Sequence, residues 1–343
     1  MRKTDVTIVL PWLSRSDWTG IILDDLIRIL ESIDIKYNIV IGYNLKSNRQ
    51  KAFLSKPFSF LYPKLAVIDK LVSLARQGRL ANNLIFIDSS FVNLKAARYL
   101  IGEKGQIVCL VNGGSFQEHD LDLQFMSQRT PDILRAEEGH YFLADKIILP
   151  SQYAFNKFIS AFPDLKSRAV KAYYYLPSNF GPDLNFIKKK GIVFSGRPSF
   201  EKGEDILREL NFEGANIEVC NGFHNSIFRQ KLKRYKSLLV PSRADFFGFS
   251  ALEAIIAGTI PIVPKGLSYE ELVCLPANLK LSFPIGKNSI KEVQKIINII
   301  EQFDKETYES IIMVARNHLN ELLGDYRNNL FGAITDFLYA GRK

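Results

Sequence analysis

The sequence is poor in the residues that build disulfide frameworks and metal sites. Its 343 residues include only three cysteines, Cys109, Cys220 and Cys274, and four histidines. The cysteines are widely spaced and form no Cys-x-x-Cys pair. Disulfide-rich secreted domains and structural zinc sites need closely and regularly spaced ligands. We therefore expect neither, which favours a reducing, cytoplasmic location.

Long apolar runs are missing as well. The run Val6–Leu10 follows a basic start but stops at Pro11 after five residues. A membrane-spanning helix needs roughly 18 apolar residues, and a signal-peptide core is also longer than this run. The run therefore predicts a first buried strand. We expect a soluble protein, or one that lies peripherally at the inner membrane face.

Several catalytic signatures are absent. The sequence has no Gly-x-x-x-x-Gly-Lys-Ser/Thr loop, no Gly-x-Ser-x-Gly elbow and no His-Glu-x-x-His helix. No Gly-x-Gly-x-x-Gly fingerprint follows the first strand, which argues against a dinucleotide-dependent oxidoreductase.

Positive charge is concentrated in the segment 46–79. The formal net charge of the chain is +9, and in this segment eight bases face one acid, Asp69. Aromatic and apolar residues are interleaved with the bases. Such a mixture suits an anionic membrane surface or a nucleic acid. A solvated helical face that packs on its own core is an equally open interpretation. The bases are Lys46, Arg49, Lys51, Lys56, Lys64, Lys70, Arg76 and Arg79.

Short β-branched runs alternate with longer amphipathic stretches, which is typical of parallel α/β sheets. The predicted strands are 5–10, 38–42, 84–87, 106–111, 146–149, 191–195, 216–220, 237–240 and 260–263. The predicted helices include 20–33, 132–143, 202–210, 226–235, 249–257, 288–302 and 305–323. The pattern indicates two doubly wound, Rossmann-like domains that face each other across a cleft.

A linker-like stretch that contains proline and glycine divides these elements into two groups. Two prolines and a glycine bracket a polar pair in the stretch 176–182. We expect a first domain over 1–178, a second over 179–325, and a terminal helix within 326–343. Ligands in such sheets bind outside the carboxyl ends of the strands, where loops lead into helices.

A first candidate site follows the strand at 191–195. This strand ends at Gly196, and Arg197 and Lys202 flank the start of the next helix. Two cations near a helix amino terminus favour a diphosphate. An ordinary surface loop with two basic residues is the alternative.

A second candidate site follows the strand at 237–240. Asp245 precedes a Gly-containing turn, Phe247-Gly248-Phe249, and Glu253 lies within the helix after it. Amides of the turn are suited to phosphate or sugar oxygens, and a carboxylate accepts from vicinal hydroxyls. The alternative is an N-capped helix in which Glu253 is incidentally buried.

Together these motifs make the stretch 191–273 resemble the carboxyl-terminal domain of retaining, nucleotide-sugar glycosyltransferases of the two-Rossmann-domain (GT-B) type, close to glycosyltransferase family 4. The matching residues are Gly196-Arg197, Lys202-Gly203, Asp245, Phe247-Gly248-Phe249, Glu253-Ala254 and Gly258-Thr259-Ile260-Pro261. The resemblance implies that Arg197 and Lys202 bind the diphosphate of a UDP- or GDP-linked donor. It also implies that Glu253 binds the ribose and Asp245 the transferred sugar, without a metal ion. Asp245 stands where the family usually has Glu, and Phe246 where it commonly has glycine, which leaves the sugar open.

The first half resembles the same family more weakly. Gly20 matches the family's amino-terminal glycine loop, which approaches the donor phosphate, and the loop Asn112–Ser115 follows a predicted strand. His119 is the candidate for a histidine near the reacting sugar, and an exposed loop histidine is the alternative. Asp120 and Asp122 form an Asp-x-Asp that could bind Mg²⁺. We disfavour that use because Arg197 and Lys202 supply positive charge. The last helices, 305–340, fit the family's return to the first domain.

The expected function is transfer of a sugar to a hydroxyl acceptor. A lipid-linked or polysaccharide acceptor at the cytoplasmic membrane face is favoured, with the segment 46–79 as a docking surface. A modified base in DNA is the alternative acceptor. A third interpretation is a catalytically inactive sugar-nucleotide-fold binding protein.

Overall fold

The computed structural model divides into two compact units. The first comprises Met1–Tyr175 with Tyr326–Lys343, and the second Leu176–Asp325. The residues that it describes are 4–13, 18–44, 61–88, 93–117, 131–174, 189–196, 199–220, 225–276, 279, 281–286, 288–324 and 329–340.

The first unit is a six-stranded parallel sheet with helices between its strands, in the order β2-β1-β3-β4-β5-β6. Its elements are β1 (Val6–Leu13), α1 (Trp18–Ser32), β2 (Tyr37–Asn44), α2 (Leu61–Arg76), β3 (Asn83–Ile87), α3 (Leu94–Ile101), β4 (Gln106–Leu110), α4 (Pro131–Tyr141), β5 (Lys146–Leu149), α5 (Gln152–Ala161) and β6 (Ala169–Lys171).

Strand β1 lies inside this sheet, between β2 and β3. Its residues from Val6 to Leu10 are buried, as expected for a strand covered on both faces. The predicted strand end at Pro11 is wrong, because pairing with β2 continues through Trp12 to Leu13. Pairing with β3 already ends at Val9, so the missing amide of Pro11 does not interrupt that ladder.

The second unit is a five-stranded parallel sheet in the order β11-β10-β9-β7-β8. Its elements are β7 (Lys190–Phe194), α6 (Glu204–Phe212), β8 (Ile217–Val219), α7 (Asn225–Leu232), β9 (Tyr235–Leu239), α8 (Phe249–Ile256), β10 (Ile260–Pro264), α9 (Tyr269–Leu272), β11 (Ser282–Phe283), α10 (Ser289–Glu301) and α11 (Lys305–Gly324). One apolar core joins the sheet to α6, α10 and α11, with Phe194, Phe283 and Tyr308 buried in it.

The final helix, α12 (Leu330–Ala340), returns to the first unit. The Leu330 amide donates to the Tyr173 carbonyl at 2.9 Å, and the Lys146 ammonium donates to the Ala333 carbonyl at 3.3 Å. The predicted return of the chain is therefore confirmed for α12. It is wrong for α11, which stays in the second unit because the Tyr308 hydroxyl donates to carbonyls of Lys236 and Gly258.

Both sheets have a topological switch point. In the first unit the chain leaves β1 on one side to form β2 and then crosses to the other side for β3. In the second unit β8 and β9 flank β7 in the same way. Open parallel sheets bind ligands at such points, outside the carboxyl ends of the strands.

No helix among the described residues is both long enough and apolar enough to cross a bilayer.

Candidate functional site

The loops that follow β7 and β9 meet at the switch point of the second sheet. Lys202 ends a short 3-10 turn after β7, and Asp245 follows β9. The Lys202 ammonium lies 3.5 Å from Asp245 Oδ2. It also donates to the Ser242 hydroxyl and to the Ala244 carbonyl, each at 3.2 Å. The predicted cation and the predicted acid are thus neighbours, and the loop after β9 fixes the cation.

Glycines allow the two loops to approach. Gly203 has a φ of +73°, and a Cβ built there would lie 2.3 Å from the Pro241 carbonyl oxygen. A larger residue would push the loop after β7 away from the end of β9. A Cβ at Gly196 would lie 2.9 Å from the Phe194 ring and 3.3 Å from Lys202 Cβ. The glycines of the Gly-Arg and Lys-Gly pairs therefore serve close packing.

Arg243 links the same two loops, a role that the sequence does not predict. Its guanidinium makes two hydrogen bonds to the Asp205 carboxylate, at 2.8 and 2.7 Å, and one to the Phe200 carbonyl at 2.6 Å. It also lies 3.9 Å from the centre of the Phe200 ring. Burial raises the pKa of Asp205, but the hydrogen bond and charge of Arg243, with backbone hydrogen bonds from Asp205 and Ile206, outweigh it and leave that pKa below its ordinary value. Arg197 lies outside the described residues.

Both carboxylate oxygens of Asp245 accept hydrogen bonds. Oδ1 accepts from the Gly248 amide at 2.8 Å, and Oδ2 accepts from the Tyr269 hydroxyl at 2.8 Å. Gly248 has a φ of +68°, and a Cβ there would lie 2.6 Å from the Tyr269 ring. Burial, followed by the charge of Asp245, raises the pKa of Tyr269 well above its ordinary value, so its hydroxyl remains a donor. The three residues form one brace at the start of α8.

The aromatic residues of the turn are part of the core. Phe246 and Phe247 are buried, and the rings of Phe247 and Phe249 meet edge to face with centres 4.9 Å apart. The departure at Phe246 from the family's usual glycine therefore adds an apolar anchor beneath the turn. The Gly248 amide, predicted to face a ligand, is occupied by Asp245.

Glu253 lies one helical turn beyond this brace and is only 4% exposed. Its Oε1 accepts from Arg229 Nε of helix α7 at 2.8 Å. Burial raises the pKa of Glu253, and the charge and hydrogen bond of Arg229 oppose that rise without cancelling it. Sequence reasoning missed Arg229, which lies in a helix with no recognised motif.

In the first unit, Gly20 is buried in the first turn of α1.

The predicted glycine loop after β4 is held by Glu137 of α4. Glu137 Oε2 accepts from the Ser115 amide at 3.0 Å and from the Ser115 hydroxyl. A Cβ at Gly114 would clash with the buried ring of Phe116, so this loop also needs a glycine. His119, Asp120 and Asp122 fall in a part of the chain that the structure does not describe.

The basic segment 46–79 is described only from Leu61 onward. The Lys70 ammonium donates to the carbonyls of Ile41 and Gly42, so it covers the carboxyl end of β2. Arg79 donates to the side chain of Gln77 at 3.2 Å. Lys70, at least, has a role inside the first unit.

Comparison with known proteins shows the fold. No protein-family model matches the sequence, and no curated protein matches it. Among solved structures, the sucrose-phosphate synthase of Thermosynechococcus elongatus is 13% identical, with a TM-score of 0.69 over 99% of this chain and 98% of that one. HepE from Anabaena in complex with UDP-glucose is 16% identical, with a TM-score of 0.61 over 97% and 98%. The catalytic domain of starch synthase IV from Arabidopsis thaliana, bound to ADP and acarbose, is 10% identical, with a TM-score of 0.65 over 99% of each chain.

These neighbours are GT-B glycosyltransferases, and the agreement covers almost the whole chain. The predicted fold class, two parallel-sheet α/β domains of the GT-B type, is confirmed. Membership of glycosyltransferase family 4 stays a prediction. The chain has the GT-B fold of glycosyltransferases.

Proposed function

We propose that the protein is a retaining glycosyltransferase. It transfers a sugar from a UDP- or GDP-linked donor to a hydroxyl acceptor and needs no metal ion. The observation that carries the proposal is the contact between Lys202 and Asp245, 3.5 Å apart, on the two loops that leave the switch point of the second sheet. Parallel sheets bind ligands at this position, and this pair supplies a cation and a carboxylate there.

The Lys202 ammonium is suited to the donor diphosphate. Negative charge grows on the departing phosphate in the transition state, and a cation held in place beforehand stabilises that charge. Ser242, Ala244 and Asp245 hold the ammonium in this way. Arg197 acts with it. HepE and starch synthase IV, which share the fold, were solved with UDP-glucose and ADP respectively.

Carboxylates recognise the two sugars of the donor. Glu253 accepts from the ribose hydroxyls and Asp245 from the transferred sugar, because a carboxylate oxygen pair accepts from vicinal hydroxyls. The leaving phosphate takes the proton of the acceptor hydroxyl. His119 is the candidate side chain beside the reacting sugar.

The acceptor is a lipid-linked or polysaccharide glycan at the cytoplasmic membrane face. The first domain, 1–178, binds the acceptor, and the second, 179–325, binds the donor. The terminal segment 326–343 belongs to the first. The bases of the segment 46–79 other than Lys70 supply the membrane docking surface, since anionic lipids attract clustered Lys and Arg.

Donor turnover tests the proposal. Lys202→Ala and Arg197→Ala should each lower the rate of transfer or donor hydrolysis by about a hundredfold or more. Arg208→Ala is the control, because Arg208 is exposed and, among the residues that the structure describes, pairs only with Glu204 on its own helix. Wild-type turnover in the Lys202 and Arg197 variants would remove the assignment.

Two binding measurements separate the acceptors. Co-sedimentation with anionic vesicles that weakens with salt supports the membrane acceptor. Binding to duplex DNA with a log–log salt slope of several units, without vesicle binding, supports transfer to a base instead. A wild-type protein that binds no donor at all in a calorimeter would be a binding partner and not an enzyme.

A further inference from the structure

A buried ion pair joins two helices beneath the candidate donor site. Arg229 of α7 is 8% exposed and Glu253 of α8 is 4% exposed. Their contact is a single hydrogen bond of 2.8 Å from Nε to Oε1. Removing two charges from water is costly, and an apolar pair of similar volume stabilises a core equally well or better. Fold stability alone therefore gives little reason for this pair.

The surroundings of Glu253 strengthen this argument. Its neighbours along α8, Leu252, Ala254 and Ile255, are all buried and apolar. The residue lies about one turn into the helix that starts at the switch point. An acid in such a place becomes neutral unless a partner holds its charge. A neutral carboxyl carries a proton and presents one donor, whereas a carboxylate presents acceptors only.

The geometry of the pair leaves part of the carboxylate available. Arg229 uses one nitrogen and one oxygen, although guanidinium and carboxylate groups commonly pair through two parallel bonds. Among the described residues, Oε2 of Glu253 accepts no hydrogen bond. A vicinal diol has two hydroxyl donors and could use Oε2 and the remaining lone pair of Oε1.

We propose that Arg229 is a positioning residue for nucleotide recognition, which holds Glu253 as an oriented carboxylate for the ribose hydroxyls of the donor. This inference rests on the proposed function, in which Glu253 meets the ribose. It adds a residue outside the motifs, and it predicts that ribose preference depends on a side chain that does not itself contact the nucleotide.

The test is the ratio of two affinities. UDP, GDP and ADP are titrated into the wild-type protein by calorimetry, and the tightest binder is compared with its 2′,3′-dideoxy analogue. Loss of hydrogen bonds to a charged group should weaken the analogue roughly ten- to hundredfold. Glu253→Gln removes the carboxylate, so its ratio of nucleotide affinity to dideoxy-analogue affinity gives the lower reference value. Arg229→Gln should bring the ratio to that level, and Arg229→Lys should restore part of it. Arg208→Gln, which removes an exposed arginine–glutamate contact, should keep the wild-type ratio.

The ratio separates positioning from damage. A variant that is merely destabilised binds both nucleotides more weakly and keeps their ratio, so an unchanged ratio in Arg229→Gln overturns the inference. If Arg229→Gln fails to fold, Arg229→Lys decides, since a Lys variant with the full wild-type ratio overturns it too. If the wild-type protein binds the nucleotide and its dideoxy analogue with equal affinity, the inference is wrong, but the proposed donor site is not contradicted. A wild-type protein that binds none of the three nucleotides sinks the proposed function itself.

Discussion

Replacing Tyr269 by phenylalanine removes a hydrogen-bonding hydroxyl from the centre of the candidate site. The Tyr269 hydroxyl donates to Asp245 Oδ2 at 2.8 Å, and its ring packs against Gly248. Phenylalanine keeps the ring, so the packing against Gly248 survives. The variant therefore removes the hydroxyl contacts of Tyr269 with Asp245 and Ser242 and leaves its ring contacts in place.

The magnitude follows from what Asp245 retains. A hydrogen bond to a charged group contributes about 1.5–3 kcal/mol. The Asp245 side chain is 21% exposed, and it keeps the Gly248 amide and the Lys202 ammonium, which places Tyr269→Phe at the lower end. A loss of about 1.4 kcal/mol is a factor of ten in an equilibrium constant. We expect the free energy of unfolding to fall by about that amount, and kcat/KM for the donor to fall roughly tenfold.

Urea unfolding and donor kinetics measure the two effects. Tyr308→Phe is the matched control, because the Tyr308 hydroxyl is also buried and donates at 2.9 and 2.7 Å to the carbonyls of Lys236 and Gly258. That control should lose stability and keep its donor kinetics. A Tyr269→Phe protein with wild-type stability and turnover would show that this hydrogen bond does not organise the site.

Two further predictions concern the loops. Gly248→Ala should cost about 1–3 kcal/mol in thermal unfolding, because a Cβ would be strained at φ +68° and would clash with Tyr269. Gly214→Ala, at φ +90° with no atom within 4 Å, should cost less, and equal losses would exclude the clash. The pKa of Asp205 is lowered, so its pair with Arg243 stabilises the fold above the ordinary pKa and is lost as pH falls through the folded value. Asp205→Asn should lose about 0–1 kcal/mol at pH 7, since Asp205 is 43% exposed, and should flatten the acid limb of the stability–pH curve; an unchanged limb would contradict this.

The alternation of strands and helices could be predicted because each long buried strand has an apolar run in the sequence. Strands β3, β4, β5, β9 and β10 lie within one or two residues of their predicted bounds. The sequence does not predict the short strands β6 and β11, of three and two residues, although it predicts β8, which is equally short. Their existence depends on the neighbouring strand that they pair with.

The motif residues of the site could be predicted, but their partners could not. Lys202, Asp245 and Glu253 each lie a short distance along the chain after a predicted strand, so a local motif identifies them. Tyr269 and Arg229 each lie 24 positions from the acid that they contact. Side-chain contacts at such separations are set by how helices pack on the sheet, and no local periodicity records them.

A calorimetric panel of nucleotide sugars tests the central claim most directly. UDP-, GDP- and ADP-linked sugars are titrated into the wild-type protein and into Lys202→Ala. We predict that the wild-type protein binds at least one of them and that Lys202→Ala binds it at least about tenfold more weakly, since a charge-assisted contact to the diphosphate is lost. Absence of binding to every donor, or equal affinity in the two proteins, would contradict a donor site built on Lys202 and Asp245.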